Sequence, residues 1–209
     1  MNGDQIGEIL RSVLASLTPL EGTAVVFGLV SVWLSTREHI ASWPTAIVNV
    51  GLYALLFFRE KLYADAGLQV IYLCLSVYGW YEWKFGGENR TELHVSRLTP
   101  RLAATLGAIG VAGAAALGTF LHRTTDAALP YLDATLSVFS LIAQWMMTRK
   151  ILENWALWIV LDMIYVWMFL FLKHLNFTAF QYGVFLILAM LGLRDWKRSY
   201  DARRVARTA

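Results

Sequence analysis

The chain has 209 residues, 57% of them hydrophobic and 16% charged, with a formal net charge of +3 and a mean hydropathy of +0.50. A soluble domain carries roughly 25% charge and about 45–50% apolar residues, so long disorder and an ordinary soluble enzyme are excluded and a polytopic, all-α membrane protein remains. A single cysteine, Cys74, excludes an internal disulfide framework and a multi-cysteine metal centre.

The first twenty residues do not read as a cleaved leader, because Asp4 and Glu8 stand where a basic n-region belongs and no unbroken apolar run follows. Ile6, Ile9, Leu10, Val13, Leu14 and Leu17 recur at helical spacing. The expectation is an amphipathic segment over 1–19, retained and lying on the extracytoplasmic surface. Seven stretches then approach the roughly 17–25 apolar residues a transmembrane helix needs: 20–36, 43–58, 66–83, 102–121, 131–147, 154–172 and 177–193. With the N-terminus outside, thirteen Lys and Arg fall in the inside loops and tail against five outside. That asymmetry predicts N-out, C-in. The tail from 195 to 209 reads as a basic juxtamembrane segment touching anionic lipid, with no nucleic-acid partner.

Sliding the sequence by 112 residues superimposes Trp33 on Trp145, Arg37 on Arg149, Trp43 on Trp155, Tyr53 on Tyr165 and Gln69 on Gln181. One extra residue brings Gly79 to Gly192, Trp83 to Trp196 and Lys84 to Lys197. Spans 1–3 and 5–7 therefore read as two copies of one unit. Because a single span intervenes, the repeat is parallel: a 3+1+3 architecture with a site expected at the repeat interface. The expected organisation is 20–83 for the first unit, 84–130 for the loop and linker helix, and 131–194 for the second unit. Span 4 carries no charge between Leu102 and Leu121, and it repeats small residues every fourth position at Ala104, Ala108, Ala112 and Ala116, and at Gly110, Ala114 and Gly118. That spacing allows close helix contact.

Polar residues within spans tend to face the bundle or a wet cavity. Span 3 carries Asp65, Gln69, Tyr72, Ser76, Gly79 and Trp83 at helical periodicity; span 5 carries Asp133, Ser137, Ser140, Gln144 and Met147; span 6 carries Trp155, Trp158, Asp162 and Tyr165. Span 2 adds Asn49 and Tyr53, and span 7 adds Gln181. Asp162 lies eight residues past Asn154, about 12 Å along the axis and close to mid-depth in a core about 30 Å thick. A carboxylate there costs at least about 2.5–3.5 kcal/mol unless compensated. A cationic substrate, a proton or neighbouring hydrogen-bond donors would each compensate it. Its counterpart at the repeat offset, Val50, is apolar. Trp158, one turn away, offers a π face to a flat aromatic cation, worth about 2 kcal/mol or more when desolvated. Trp33, Trp43, Trp83, Trp145 and Trp196 lie near span ends and are expected as interfacial anchors. The four histidines, His39, His94, His122 and His174, fall in or near loops without metal-ligand spacing, and no embedded Ser–His or Cys–His pair suggests nucleophilic catalysis. No catalytic residue, metal site or cofactor is expected.

The stretch SWPTAIVNVGLYALLFFREKLYADAGLQVIYLCLSVYGWYEWK resembles the first-repeat signature of the PnuC vitamin transporters. LIAQWMMTRKILENWALWIVLDMIYVW resembles that family's second-repeat stretch, with Arg149-Lys150 followed by Glu153-Asn154-Trp155 and Trp158. The resemblance covers about residues 20–198. It implies a seven-helix fold arranged like the SWEET sugar carriers, in a bacterial inner membrane. It also implies import of nicotinamide riboside by facilitated diffusion, trapping by a cytoplasmic kinase, and a homotrimer. Relatives carrying thiamine or riboflavin make thiamine the alternative substrate. Where some members carry Asn on span 6, this chain carries Asp162, which suits the cationic rings of nicotinamide riboside and thiamine better than neutral, larger riboflavin. Trp155 and Trp158 are assigned to ring stacking, and Asn154, Asp162 and Gln144 to polar contacts; Asn49, Gln69, Tyr72 and Tyr78 are added from the first repeat. A membrane-embedded binding or sensor subunit, and a proton-coupled carrier using Asp162, stand as the other readings.

Overall fold

Caps and prolines set where the helices begin. Thr18 accepts a hydrogen bond from the Glu21 amide while the Glu21 carboxylate accepts one from the Thr18 amide, a capping box with Pro19 in the first turn. It opens α1, Pro19–Thr36. In the computed structural model, which describes residues 18–126, 128–172 and 176–208, α2 follows at Ser42–Arg59, α3 at Tyr63–Phe85, α4 at Pro100–Thr124, α5 at Pro130–Thr148, α6 at Asn154–Trp167 and α7 at Asn176–Thr208. Thr99 caps α4 by accepting from the Leu102 amide. The described residues form seven α-helices and no strand. The expected amphipathic segment at 1–19 lies, but for Thr18 and Pro19, outside the described residues.

The helices match the seven expected stretches with two differences. α6 ends in a π-helical turn, Met168–Leu172, which no apolar pattern signals. α7 runs unbroken for 33 residues through the basic tail, about 50 Å at 1.5 Å per residue. Nothing between Leu193 and Thr208 breaks it, since that stretch has neither Gly nor Pro.

α1 packs on α2, α2 on α3, α5 on α6 and α6 on α7; α3 also packs on α5, and α1 on α7. α4 packs on α5, seating Gly110 against Phe139 and Gly118 against Tyr131. The opposite face of α4, with Ala104, Ala108, Ala112 and Ala116, is exposed. α1, α4 and the stretch Asn154–Leu172 are each long and apolar enough to cross a membrane by themselves. Exposed apolar side chains such as Val26, Phe58, Val77, Val111, Phe171 and Ile187 cover the outside of the bundle, the inverse of a water-facing surface and consistent with a multi-pass membrane protein.

Four tryptophans, from α2, α3, α6 and α7, form a buried cluster together with Met147 of α5. Trp43 meets Trp83 edge-on at 5.2 Å, Trp155 meets Trp196 edge-on at 5.4 Å, and Trp83 lies 5.8 Å from Trp196. The Trp83 indole N–H donates to the Met147 carbonyl at 3.0 Å, and that of Trp196 donates to the Ser35 carbonyl at 2.9 Å. Gly79 and Gly192 leave room for the rings of Trp43 and Trp155, which an added Cβ would strike. Each of these contacts has a partner 112 or 113 residues away. The expectation that Trp43, Trp83 and Trp196 are interfacial anchors is corrected: they are at most 2% exposed. Helix-end carbonyls satisfy two of their N–H groups, so those polar edges need no water.

α1 and α5 also stop alike. Arg37 and Arg149 share φ near −90° and ψ of 8°, followed by left-handed Glu38 (φ 53°) and Lys150 (φ 47°). The amides of Glu38 and His39 return to Ser35 and Leu34, and those of Lys150 and Ile151 to Met147 and Met146. This is a Schellman motif in each case. Beside it, the α3–α4 loop is stitched to the α5–α6 loop: the Ser96 amide donates to the Lys150 carbonyl, the Leu152 amide donates to the Ser96 carbonyl, and Glu153 accepts from Arg97 and the Leu98 amide.

Candidate transport cavity

A cavity of about 370 Å³ opens above the tryptophan cluster, within the range of small-molecule sites. Six helices line it; α4 contributes nothing. Of the residues singled out in the sequence, Asn49, Gln69, Tyr72, Gln144, Trp155, Trp158 and Asp162 line this one space. They come from α2, α3, α5 and α6, so the polar stripes converge.

Tyr78 and Asn154 do not line it. Tyr78 sits two residues beyond Ser76, which turns it about 200° around α3, and its hydroxyl accepts from the Arg149 guanidinium at 3.0 Å on the outside of the bundle. Asn154 opens α6 and is fully buried beneath the cavity, its amide donating to the Ile151 carbonyl at 2.6 Å.

The lining has two kinds of polar group. Some are spoken for by the scaffold: Asn49 donates to the Ala24 carbonyl at 2.7 Å, which is why residue 28 is glycine, and the Tyr72 hydroxyl shares a 2.6 Å hydrogen bond with Ser140 across the two halves. Others are unengaged. Asp162 is 3% exposed, and no hydrogen bond or ion pair reaches it from the described residues. Among the described residues the indole N–H groups of Trp43 and Trp155, on rings that line the cavity, have no acceptor, nor do the buried Ser42 hydroxyl and the Asn154 amide oxygen have partners. These four orphans are again two pairs at the 112-residue offset.

Tyr53, Tyr165 and Gln181 of the polar stripes also line the cavity, as do Trp43 and Tyr182, which those stripes do not include. The repeat carried the signal for Trp43, the counterpart of Trp155. Tyr182 had none, since only folding brings its ring 4.4 Å from Tyr165, stacked within 21°. Trp158 and Asp162, one turn apart on α6, place a π face beside a carboxylate. With Gln69, Gln144 and Gln181 around them, the lining can hold a flat, hydroxyl-bearing cation. Among the described residues no group of three His, Cys, Asp or Glu could hold a metal ion.

The geometry has relatives. Nicotinamide riboside transporter PnuC of Escherichia coli is 28% identical over 212 aligned residues, covering 90% of this chain and 88% of that protein. Riboflavin/roseoflavin transporter RibM of Streptomyces davaonensis is 27% identical, covering 82% and 81%. The crystal structure of the vitamin B3 transporter PnuC superimposes with a TM-score of 0.71 at 26% identity, covering 92% of this chain and 88% of that one. These neighbours are transporters, not enzymes. The family described as nicotinamide mononucleotide transporter matches residues 18–198, and the chain belongs to that PnuC-type family of transporters.

Proposed function

We propose that the chain carries nicotinamide riboside across a bacterial inner membrane by facilitated diffusion. The reading makes all seven helices spans, with the N-terminus outside and the C-terminus in the cytoplasm. Residues 20–83 and 131–194 form the two halves of a SWEET-like 3+1+3 repeat, and 84–130 is the linker. The observation that carries it is Asp162: a buried carboxylate with no partner among the described residues, beside Trp158 in the cavity. A fixed cation on a flat ring supplies what that site lacks. Asn49, Gln69, Tyr72, Gln144 and Trp155 complete the proposed site from the lining. Asn154 and Tyr78, first assigned with them, support it from outside the cavity.

Trapping follows if a cytoplasmic kinase phosphorylates the vitamin, since the product is anionic and Asp162 repels it. The exposed alanine stripe of α4 supports a homotrimer built on that face, which chemical crosslinking in membranes would count. Thiamine shares the cationic ring and stands as the second substrate.

The test is uptake into liposomes holding the purified chain alone. Labelled nicotinamide riboside should enter down its gradient, without an imposed pH difference, and riboflavin should not compete. Binding without flux favours a sensor subunit. Uptake that follows an imposed pH gradient favours proton coupling, and preferential riboflavin uptake ends the cation reading.

A further inference from the structure

Glycine suits the residue just past a helix end in the left-handed region, because a side chain there costs about 1–2 kcal/mol. At the tryptophan end of the cavity both such positions hold charged residues. Glu38 follows α1 and Lys150 follows α5, and Lys150 Nζ lies 3.2 Å from Glu38 Oε2. They are 112 residues apart, the repeat offset itself. Under the repeat reading above, on which this inference rests, a position beside the pseudo-twofold axis meets its own counterpart. Identical charges there would repel; Glu in one half and Lys in the other make the contact attractive.

The pair is enclosed, with side chains 7% and 16% exposed, and Lys150 Nζ also stands 4.5 Å over the Trp83 ring. Burial lowers the Lys150 pKa, and the Glu38 carboxylate opposes that shift. Next to it Arg149 of the second half pairs with Glu82 of the first at 2.8 Å. The counterparts of that pair, Arg37 and Asp195, are not joined: Asp195 takes Arg194 instead, and Arg37 faces it across a surface recess. The ion pairs between the halves therefore gather at one end, directly beneath the ring whose N–H ties α3 to α5.

We propose that Glu38 and Lys150 form the latch of a gate at this end, holding the ends of α1 and α5 together while the cavity is closed here and parting when it opens. Neither residue lines the cavity; both act through the tryptophans above them.

A Cys74→Ser background with Ser35→Cys puts one thiol on the cavity wall, read by a membrane-impermeant thiol reagent on vesicles of either orientation. Glu38→Gln or Lys150→Gln should raise labelling from the C-terminal side about tenfold, as expected when a closed population loses its stabilising contact. Lys150→Glu should raise it further, and Glu38→Lys with Lys150→Glu should return it to the starting rate. Lys150→Gly relieves the left-handed backbone while removing the latch, so it should raise labelling without lowering the thermal midpoint. Should the Gln and Gly variants label at the starting rate, the latch is overturned. Uptake of labelled nicotinamide riboside by the parent chain is measured in parallel. Its absence would count against the carrier reading, whereas uptake with unchanged labelling would count against the latch alone.

Discussion

The tryptophan end and the cavity above it use the same two sets of helices in opposite ways. At the tryptophan end nearly every contact occurs twice: Trp43 with Gly79 and Trp83, and Trp155 with Gly192 and Trp196. The twin N–H bonds to Met147 and Ser35 belong to the same set. Farther up, the stacked pairs Tyr53–Phe57 and Tyr165–Phe169 continue the correspondence at 5.7 and 6.2 Å. In the lining Gln69 and Gln181 still match, but the correspondence fails at the polar positions of α2 and α6. Asp162 stands opposite Val50 in the alignment of halves, and Asn49 opposite Leu161. Matched contacts hold the halves together, while a ligand without twofold symmetry needs unmatched ones. Duplication thus supplies the frame, and divergence at a few lining positions supplies recognition.

That contrast can be broken at its strongest point first. Gly79→Leu and Gly192→Leu each drive a side chain into an indole ring and should lower stability by about 3 kcal/mol or more, since these rings have no free space to yield. Thermal unfolding in detergent should show losses of similar size for the two, as the correspondence requires. Asp162→Asn should keep the fold and weaken binding of nicotinamide riboside by about 2–3 kcal/mol, roughly 30- to 150-fold, by removing the charged partner of a desolvated cation. Equilibrium binding to the purified protein reads this directly, and a neutral analogue should bind both forms alike. Trp83→Phe and Trp196→Phe each remove one of the two donors on a helix-end carbonyl and should cost about 1–1.5 kcal/mol; unequal losses would weaken the claim of matched halves. The smallest effect belongs to Ser140→Ala, which removes the Tyr72 contact at a cost of about 1 kcal/mol and should alter uptake less than Asp162→Asn.

Much of this was legible because membrane helices announce themselves locally. Twenty apolar residues and a Pro or Thr at the start fix an element without reference to the rest of the chain, which is why the seven stretches agree with the seven helices. The repeat was legible for a different reason: tryptophan is rare, so three aligned pairs carry weight. What stayed hidden depends on partners distant in sequence. Trp83 looks like an anchor until the Met147 carbonyl appears beside its N–H, 64 residues away. Tyr78 shares a helix with Tyr72 but faces the other way, towards Arg149, and Asn154 is consumed by the backbone turn at Ile151. The π turn at Met168–Leu172 leaves no trace in composition, because one extra residue in a helical turn does not alter apolar content.

The lone rung between Ser96 and Ile151 has a mechanical consequence. Because Arg97 and Leu98 are also tied to Glu153, and α4 lies against α5, the linker from Ser96 onward is bolted to the second set of helices, whereas the loop before it stays on the first, its Leu93 amide donating to the Trp83 carbonyl at 3.1 Å. Under the proposed rocking of the two halves, the chain would divide as three helices against four. The covalent strap between these two bodies is the short run from Leu93, held on the Trp83 carbonyl, to Ser96, held on the Lys150 carbonyl. Shortening or stiffening that strap should slow turnover while leaving the affinity of the resting protein untouched.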